Sequence, residues 1–123
     1  MTTLALALLA VTSIVTAGSQ TLFKQTLTRI GNPPHSVGEY APFFLNLLTT
    51  PAFLLALFLY GLAFILWIFL LSRNSLSLIY PIGIALNVLF TLGTARFVLG
   101  ESLSIVHVGG VLVILTGIFI VTR

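Results

Sequence analysis

"AFLLALFLYGLAFILWIFLLS", residues 52–72, contains no charged residue and no proline. Its length matches the roughly 20 apolar residues that carry a helix across the hydrocarbon core of a bilayer. A helix apolar on every side has no face for water, so it belongs in lipid or in the core of a large protein. The chain is too short for a large core at 123 residues. Pro51 suits the first turn of such a helix, where its missing N–H costs nothing. The whole composition agrees: 6% of residues are charged and mean hydropathy is +1.22. Soluble domains carry about 25% charged residues. The expected fold class is therefore an all-α membrane protein.

Working outward, three further apolar segments stand at about 3–29, 75–99 and 102–122. The expected architecture is a single four-helix transmembrane domain over residues 1–123. The turns "SRNS" and "LGES" are short enough to make consecutive helices antiparallel neighbours. The first segment is expected to be a retained helix and not a cleaved signal, because no Lys or Arg precedes it. Residues 31–50 differ. "GNPPHSVGEY" is turn chemistry, and "APFFLNLLTT" is apolar but too short to span. It reads either as a segment lying in the membrane interface or as an extension of the second helix.

A net charge of +3 spread over the chain leaves no nucleic-acid footprint. The absence of cysteine excludes disulfides and thiolate chemistry. Lys24, Arg29 and Arg96 fall on one side of the membrane, Arg73 and Arg123 on the other. This near balance leaves orientation open, including insertion both ways.

Polar residues in the spans carry the functional information. Ser13, Thr16, Gln20 and Lys24 follow at spacings of three, four and four, which places them on one helix face. Ionisable groups in spans are costly and usually functional. The structural alternative is that Lys24 snorkels to the headgroups while Gln20 joins two helices. The third segment has a second stripe, Tyr80, Gly83, Asn87, Thr91 and Thr94, with Arg96 beyond it. Pro81 is expected to break or kink that helix by removing a bond to Ser77. Asn87 serves equally well as a helix–helix contact. Tyr60 and Trp67 share a face of the second helix, as packing aromatics or as pocket walls.

The fourth segment, "GGVLVILTGIFIV", places Gly110 and Gly117 seven residues apart. Small residues on one face let helix backbones approach closely, which suits either a dimer seam or packing within one chain. Glu101 is expected to favour the start of that helix or to pair with Arg96. No carboxylate pair, nucleophile–base pair or metal cluster can be assembled, so no enzyme activity and no cofactor is expected. His35 and His107 read as loop or interface residues.

"LSLIYPI", "LGESLS" and the glycine heptad together resemble the drug/metabolite transporter superfamily, EamA-like in its larger members. A four-helix chain is similar to its small multidrug resistance branch, which works as antiparallel dimers. That resemblance implies a dimer through Gly110 and Gly117, and pocket roles for Tyr60 and Tyr80. Two positions depart from the branch. Thr16 stands where its exporters have a proton-exchanging glutamate, and Gly83 stands where they have a tryptophan.

The closer likeness is to the small subunits that flip aminoarabinose-phosphoundecaprenol. It rests on Gln20 four residues before Lys24-Gln25, and on Tyr80-Pro81 with Asn87 six residues beyond the proline. It implies a multi-pass protein of the inner (cytoplasmic) membrane that flips a polyprenyl-phosphate-linked sugar, as a homodimer or with a similar four-helix partner. Lys24 and Arg96 would engage phosphate, Gln20, Tyr80 and Asn87 would line the sugar path, and Thr16 and Tyr60 would complete the substrate-binding set. The alternatives are an exporter of small cations or metabolites, and a non-transporting scaffold for a glycosyltransferase.

Overall fold

Caps and prolines divide this apolar chain into five helices. The computed structural model describes residues 2–31 and 33–123. The helices are α1 (Thr3–Ile30), α2 (Val37–Leu48), α3 (Pro51–Arg73), α4 (Leu76–Phe97) and α5 (Ile105–Val121), with no strand among the described residues. The Thr2 hydroxyl opens α1 by accepting the Ala5 N–H at 3.1 Å, a standard N-cap. Gly31 closes it at φ 103, a conformation open to glycine.

The segment before α3 is a helix of its own and not an extension of it. Thr50 stands in extended conformation at φ −86, ψ 118, because a residue preceding proline is pushed out of the helical region. The resulting α2 is amphipathic. Leu47 is buried and Phe43 half-buried, whereas Val37, Tyr40, Phe44, Leu45 and Leu48 are exposed. Glu39 and Asn46 fall on the opposite arc at 100° per residue.

Three expectations about the second half need correction. The helix over 75–99 ends at Phe97, because the chain turns at Gly100 with φ 69 and the Glu101 N–H donates to the Ala95 carbonyl at 2.9 Å. The segment over 102–122 becomes helical only at Ile105. The Ser104 hydroxyl takes the cap, accepting the His107 N–H at 3.1 Å, so Glu101 lies outside the helix start. Finally, α4 is continuously helical through Pro81, so of the expected break or kink it is the break that is corrected. A proline in the second turn removes one ladder bond, which leaves the remaining ladder able to carry the helix.

The chain is an all-α, multi-pass membrane protein. α1, α3 and α4, with 28, 23 and 22 residues, are long and apolar enough to cross a bilayer. The 17 residues of α5 reach about 26 Å at 1.5 Å per residue, a little short of the roughly 30 Å core.

α1 is the centre of the bundle. It packs against α3 on one side and α4 on the other, while α2 rests on α3 and α5 touches only α4. The α1–α3 seam repeats every seven residues. Ala5, Thr12, Ser19 and Thr26 are buried along α1, and Ala56, Ala63 and Leu70 along α3. A seven-residue repeat of small side chains is the signature of close, left-handed helix packing in lipid. The two helices are antiparallel: Ala5 and Leu9 cluster with Leu70, and Phe23 meets Phe53 at 5.4 Å between ring centroids. Ile79 joins the same cluster from α4.

Hydroxyls in this seam are satisfied locally. Thr12 and Thr26 donate to the carbonyls four residues back at 2.7 and 2.8 Å, and Thr21, buried on another face of α1, does the same at 2.8 Å. Such back-bonding lets polar side chains sit where no water reaches. No buried side-chain nitrogen or oxygen among the described residues lacks a partner.

Candidate functional site

The face of α1 beside its tight seam, sharing Thr12 with it, opens onto a groove of about 690 Å³. α1 contributes Ser13, Thr16 and Gln20, α3 contributes Tyr60 and Trp67, and α4 contributes Tyr80, Asn87 and Thr91. The fourth wall is α5, through His107, Val111 and Ile114. These three fall at i, i+4 and i+7, hence on one helix face.

Five of the expected pocket residues therefore meet: Thr16, Gln20, Tyr60, Tyr80 and Asn87 line one space. The two polar stripes face each other across it instead of being consumed in helix contacts. Thr91 ties them together. Its single hydroxyl proton goes to Asn87 Oδ1 at 3.0 Å, and Gln20 Oε1 stands 3.5 Å from the same oxygen as a near neighbour across the groove. Thr16 donates to the Thr12 carbonyl at 2.8 Å. The groove lining contains amides, hydroxyls, phenols, one imidazole and no carboxylate.

Trp67 supplies the aromatic wall. Its ring meets Tyr80 edge-on at 6.2 Å between centroids. Gly83, opposite, is buried, and a Cβ there would stand 3.3 Å from Trp67 Cζ3. The indole thus occupies the space beside the position where the small multidrug resistance pattern has a tryptophan on the next helix. Tyr60 is held edge-on by Phe23 at 6.2 Å.

Lys24 does not line this groove. It lines a second depression of about 460 Å³ with Gln25, Thr28, Arg29, Leu99 and Glu101. The reason is axial: Lys24 lies one turn, about 6 Å, beyond Gln20, level with the turn that follows α4. The stripe from Ser13 to Lys24 is one face of a helix that serves two adjoining spaces. Arg96 lines neither space and is exposed. Arg29 takes the place expected for it, beside Lys24 and Glu101.

Gly110 and Gly117 are exposed on α5, and a Cβ added at either would meet no atom within 4 Å. They make no close approach within the chain. Sequence reasoning missed His107 as a groove residue. Its only signal was the shared spacing with Val111 and Ile114, indistinguishable from lipid-facing periodicity until α4 is seen beside it.

The expected likeness to the aminoarabinose-phosphoundecaprenol flippase subunits is borne out. The chain is 39% identical over 66 residues to the Enterobacter sp. (strain 638) protein named "Probable 4-amino-4-deoxy-L-arabinose-phosphoundecaprenol flippase subunit ArnE". The match covers 54% of this chain and 61% of that protein. That relative is named for a transport subunit and not for an enzyme. No family model and no solved structure matches the chain significantly.

Proposed function

We propose that the chain is a subunit of a transporter that flips a polyprenyl-phosphate-linked sugar across the cytoplasmic membrane. The observation that carries this reading is the joined Gln20–Thr91–Asn87 cluster in a groove lined without a carboxylate. Amides and hydroxyls pair with sugar hydroxyls, and the aromatic wall of Trp67, Tyr60 and Tyr80 suits the apolar faces of a sugar ring. The basic residues stand one turn further along, where the carrier phosphate would follow the sugar. A likeness over about half the chain to a protein named as a flippase subunit supports the same class.

In this reading α5 is the fourth span, made sufficient by local thinning or snorkelling at its ends. A second copy, or a similar subunit, docks along Gly110 and Gly117. Those glycines lie roughly 70° around α5 from the groove-facing residues, so the partner would stand at the mouth of the groove. The α2 helix lies in the interface with its exposed apolar arc toward the acyl chains.

The aromatic wall also favours a second reading, export of a small organic cation, since indole and phenol faces attract cations. The carboxylate-free lining weighs against it. The discriminating experiment is leaflet exchange in proteoliposomes. Purified protein is expected to move a fluorescent polyprenyl-phosphate sugar and to leave tetraphenylphosphonium distribution unchanged. The opposite pattern would establish the exporter.

A further inference from the structure

Residues 30–72 carry no lysine and no arginine, and α2 within them carries one charged residue, Glu39. The helix is nevertheless divided cleanly by polarity. At about 100° per residue, Tyr40, Phe44, Val37, Leu48 and Leu45 share an exposed apolar arc about 140° wide. Glu39, Pro42 and Asn46 lie on the far side, and the covered residues Phe43 and Leu47 fall in the sector between. Among the described residues α2 meets only α3, so the protein covers one flank and leaves the apolar arc open.

The chain sets the level of this arc. Two residues separate α2 from the α3 span, whose first turns expose Leu54, Leu55 and Phe58. The joint needs no water. The Thr49 N–H reaches the Leu45 carbonyl at 3.2 Å and the Thr50 N–H the Leu47 carbonyl at 3.0 Å. Both threonine hydroxyls donate to the Asn46 carbonyl, at 2.8 and 2.9 Å. With its last carbonyls satisfied, a helix end can rest at the acyl boundary. The lipid that covers the start of α3 therefore continues over α2.

We propose that α2 docks on loosely packed regions of the surrounding bilayer, and that lipid packing, not lipid charge, sets how deeply it inserts. This rests on the interfacial placement of α2 and is independent of what the groove carries. The rings supply the reason. Phe44 meets Tyr40 at 6.4 Å and Phe43 at 5.6 Å between centroids, so the three form one connected ledge. Such a ledge needs a gap between headgroups, and gaps widen with unsaturated chains and close with sterol. A basic segment is drawn to any anionic surface. This helix has no cation to be drawn, and Glu39 opposes the attraction.

The chain has no cysteine, so single cysteines report position in the full-length protein. Phe44→Cys, Asn46→Cys and Phe58→Cys, each carrying nitrobenzoxadiazole, mark the arc, the polar side and the α3 span. Depth is read as quenching by spin-labelled lipid in proteoliposomes matched on the Phe58→Cys signal. From sterol-rich to sterol-free dioleoylphosphatidylcholine, the ratio of inserted to withdrawn Phe44→Cys label is expected to rise about fourfold, equivalent to one more buried methylene. Exchanging part of that lipid for dioleoylphosphatidylglycerol leaves the ratio unchanged, and the Asn46→Cys label stays withdrawn throughout. Adding Glu39→Lys makes the ratio rise about fivefold with phosphatidylglycerol, the worth of one basic residue at an anionic surface. Leu45→Asn with Leu48→Asn withdraws the Phe44→Cys label while the Phe58→Cys label stays in place. The proposal is overturned if phosphatidylglycerol moves the Phe44→Cys label more than sterol does, since charge then governs. It is overturned, with the interfacial placement intact, if that label is equally deep in every bilayer. Equal quenching at Asn46→Cys overturns it too, because no face is then selected. A Phe44→Cys label unquenched in every bilayer removes the placement as well, and emission that then follows protein density assigns the arc to a second copy.

Discussion

Trp67 lies against Gly83 at a separation that leaves no room for a side chain without movement: a Cβ there would come to 3.3 Å from Cζ3 and 3.4 Å from Cη2 of the indole. One helix omits a side chain and the next supplies the ring. Gly83→Leu is therefore expected to displace the ring and destabilise the fold by about 1–3 kcal/mol, the usual cost of overpacking. Combining it with Trp67→Ala should recover part of that loss. Thermal unfolding of the four members of this cycle in detergent measures the coupling. Strict additivity would show that the two residues do not share space.

The α1–α3 seam makes a sharper stability prediction. Ser19 is fully buried at 0% exposure and Ala56 likewise. Ser19→Leu should cost more than about 2 kcal/mol through overpacking, whereas Thr28→Leu on the exposed surface should stay within about 0.5 kcal/mol. Unfolding titrations in mixed micelles give both values. Equal effects at the two positions would refute the seam.

Much of this architecture was legible in the chain. The span over 52–72 declared itself by composition, and spacing put Ser13, Thr16 and Gln20 on one helix face and Tyr80 and Asn87 on another, while their shared space came from the resemblance alone. The limits were equally physical. Helix ends at Phe97 and Ile105 depend on which hydroxyl or glycine takes the cap, a matter of about 0.5–2 kcal/mol that periodicity does not report. The α1 seam was hidden because Thr12, Ser19 and Thr26 look like polar interruptions until their hydroxyls are seen bonded to their own helix. Lys24 was joined to the wrong space because a helix face has direction but no floor. The floor belongs to Val98, Leu99 and Glu101, about 75 residues away in sequence.

For transport, Lys24→Gln should reduce exchange of the lipid-linked sugar at least tenfold while leaving the amount of folded protein in the membrane unchanged. Asn87→Leu should do the same by removing the acceptor of Thr91. Rates are read in proteoliposomes and abundance by quantitative blotting. Wild-type exchange in the Lys24 variant would leave that residue a snorkelling side chain.

For assembly, Gly110→Leu with Gly117→Leu should weaken the proposed dimer without preventing insertion. A Cβ added at either position meets nothing within 4 Å in its own chain, so monomer stability serves as the control. Crosslinking in native membranes reports the dimer fraction, and an undiminished fraction would move the interface elsewhere.

For coupling, Thr16 cannot titrate, and Glu39 and Glu101 lie outside α1, α3, α4 and α5. Obligatory proton exchange through α1 is not expected. An imposed pH gradient across proteoliposomes should leave the final substrate distribution unchanged. Accumulation that follows the gradient and disappears with an uncoupler would contradict this, and its loss in His107→Gln would identify the groove imidazole as the proton carrier.

The threonines of the groove turn their protons away from it. Thr12 gives its proton to Leu8, Thr16 to Thr12, and Thr91 to Asn87. What the Thr12 and Thr16 hydroxyls offer the open space is lone pairs, while the Ser13 hydroxyl and the amide nitrogens of Gln20 and Asn87 offer hydrogens. The groove consequently has a hydrogen-bonding grammar: its threonines accept, and its amides and Ser13 still give. A guest with only acceptors, such as a bare phosphate, satisfies one half and leaves the other wanting. A polyol answers both, because each of its oxygens gives one hydrogen and takes another. In the proposed reading, selection by donor direction needs no charge inside the membrane, and discrimination deep in lipid proceeds without an ion buried there.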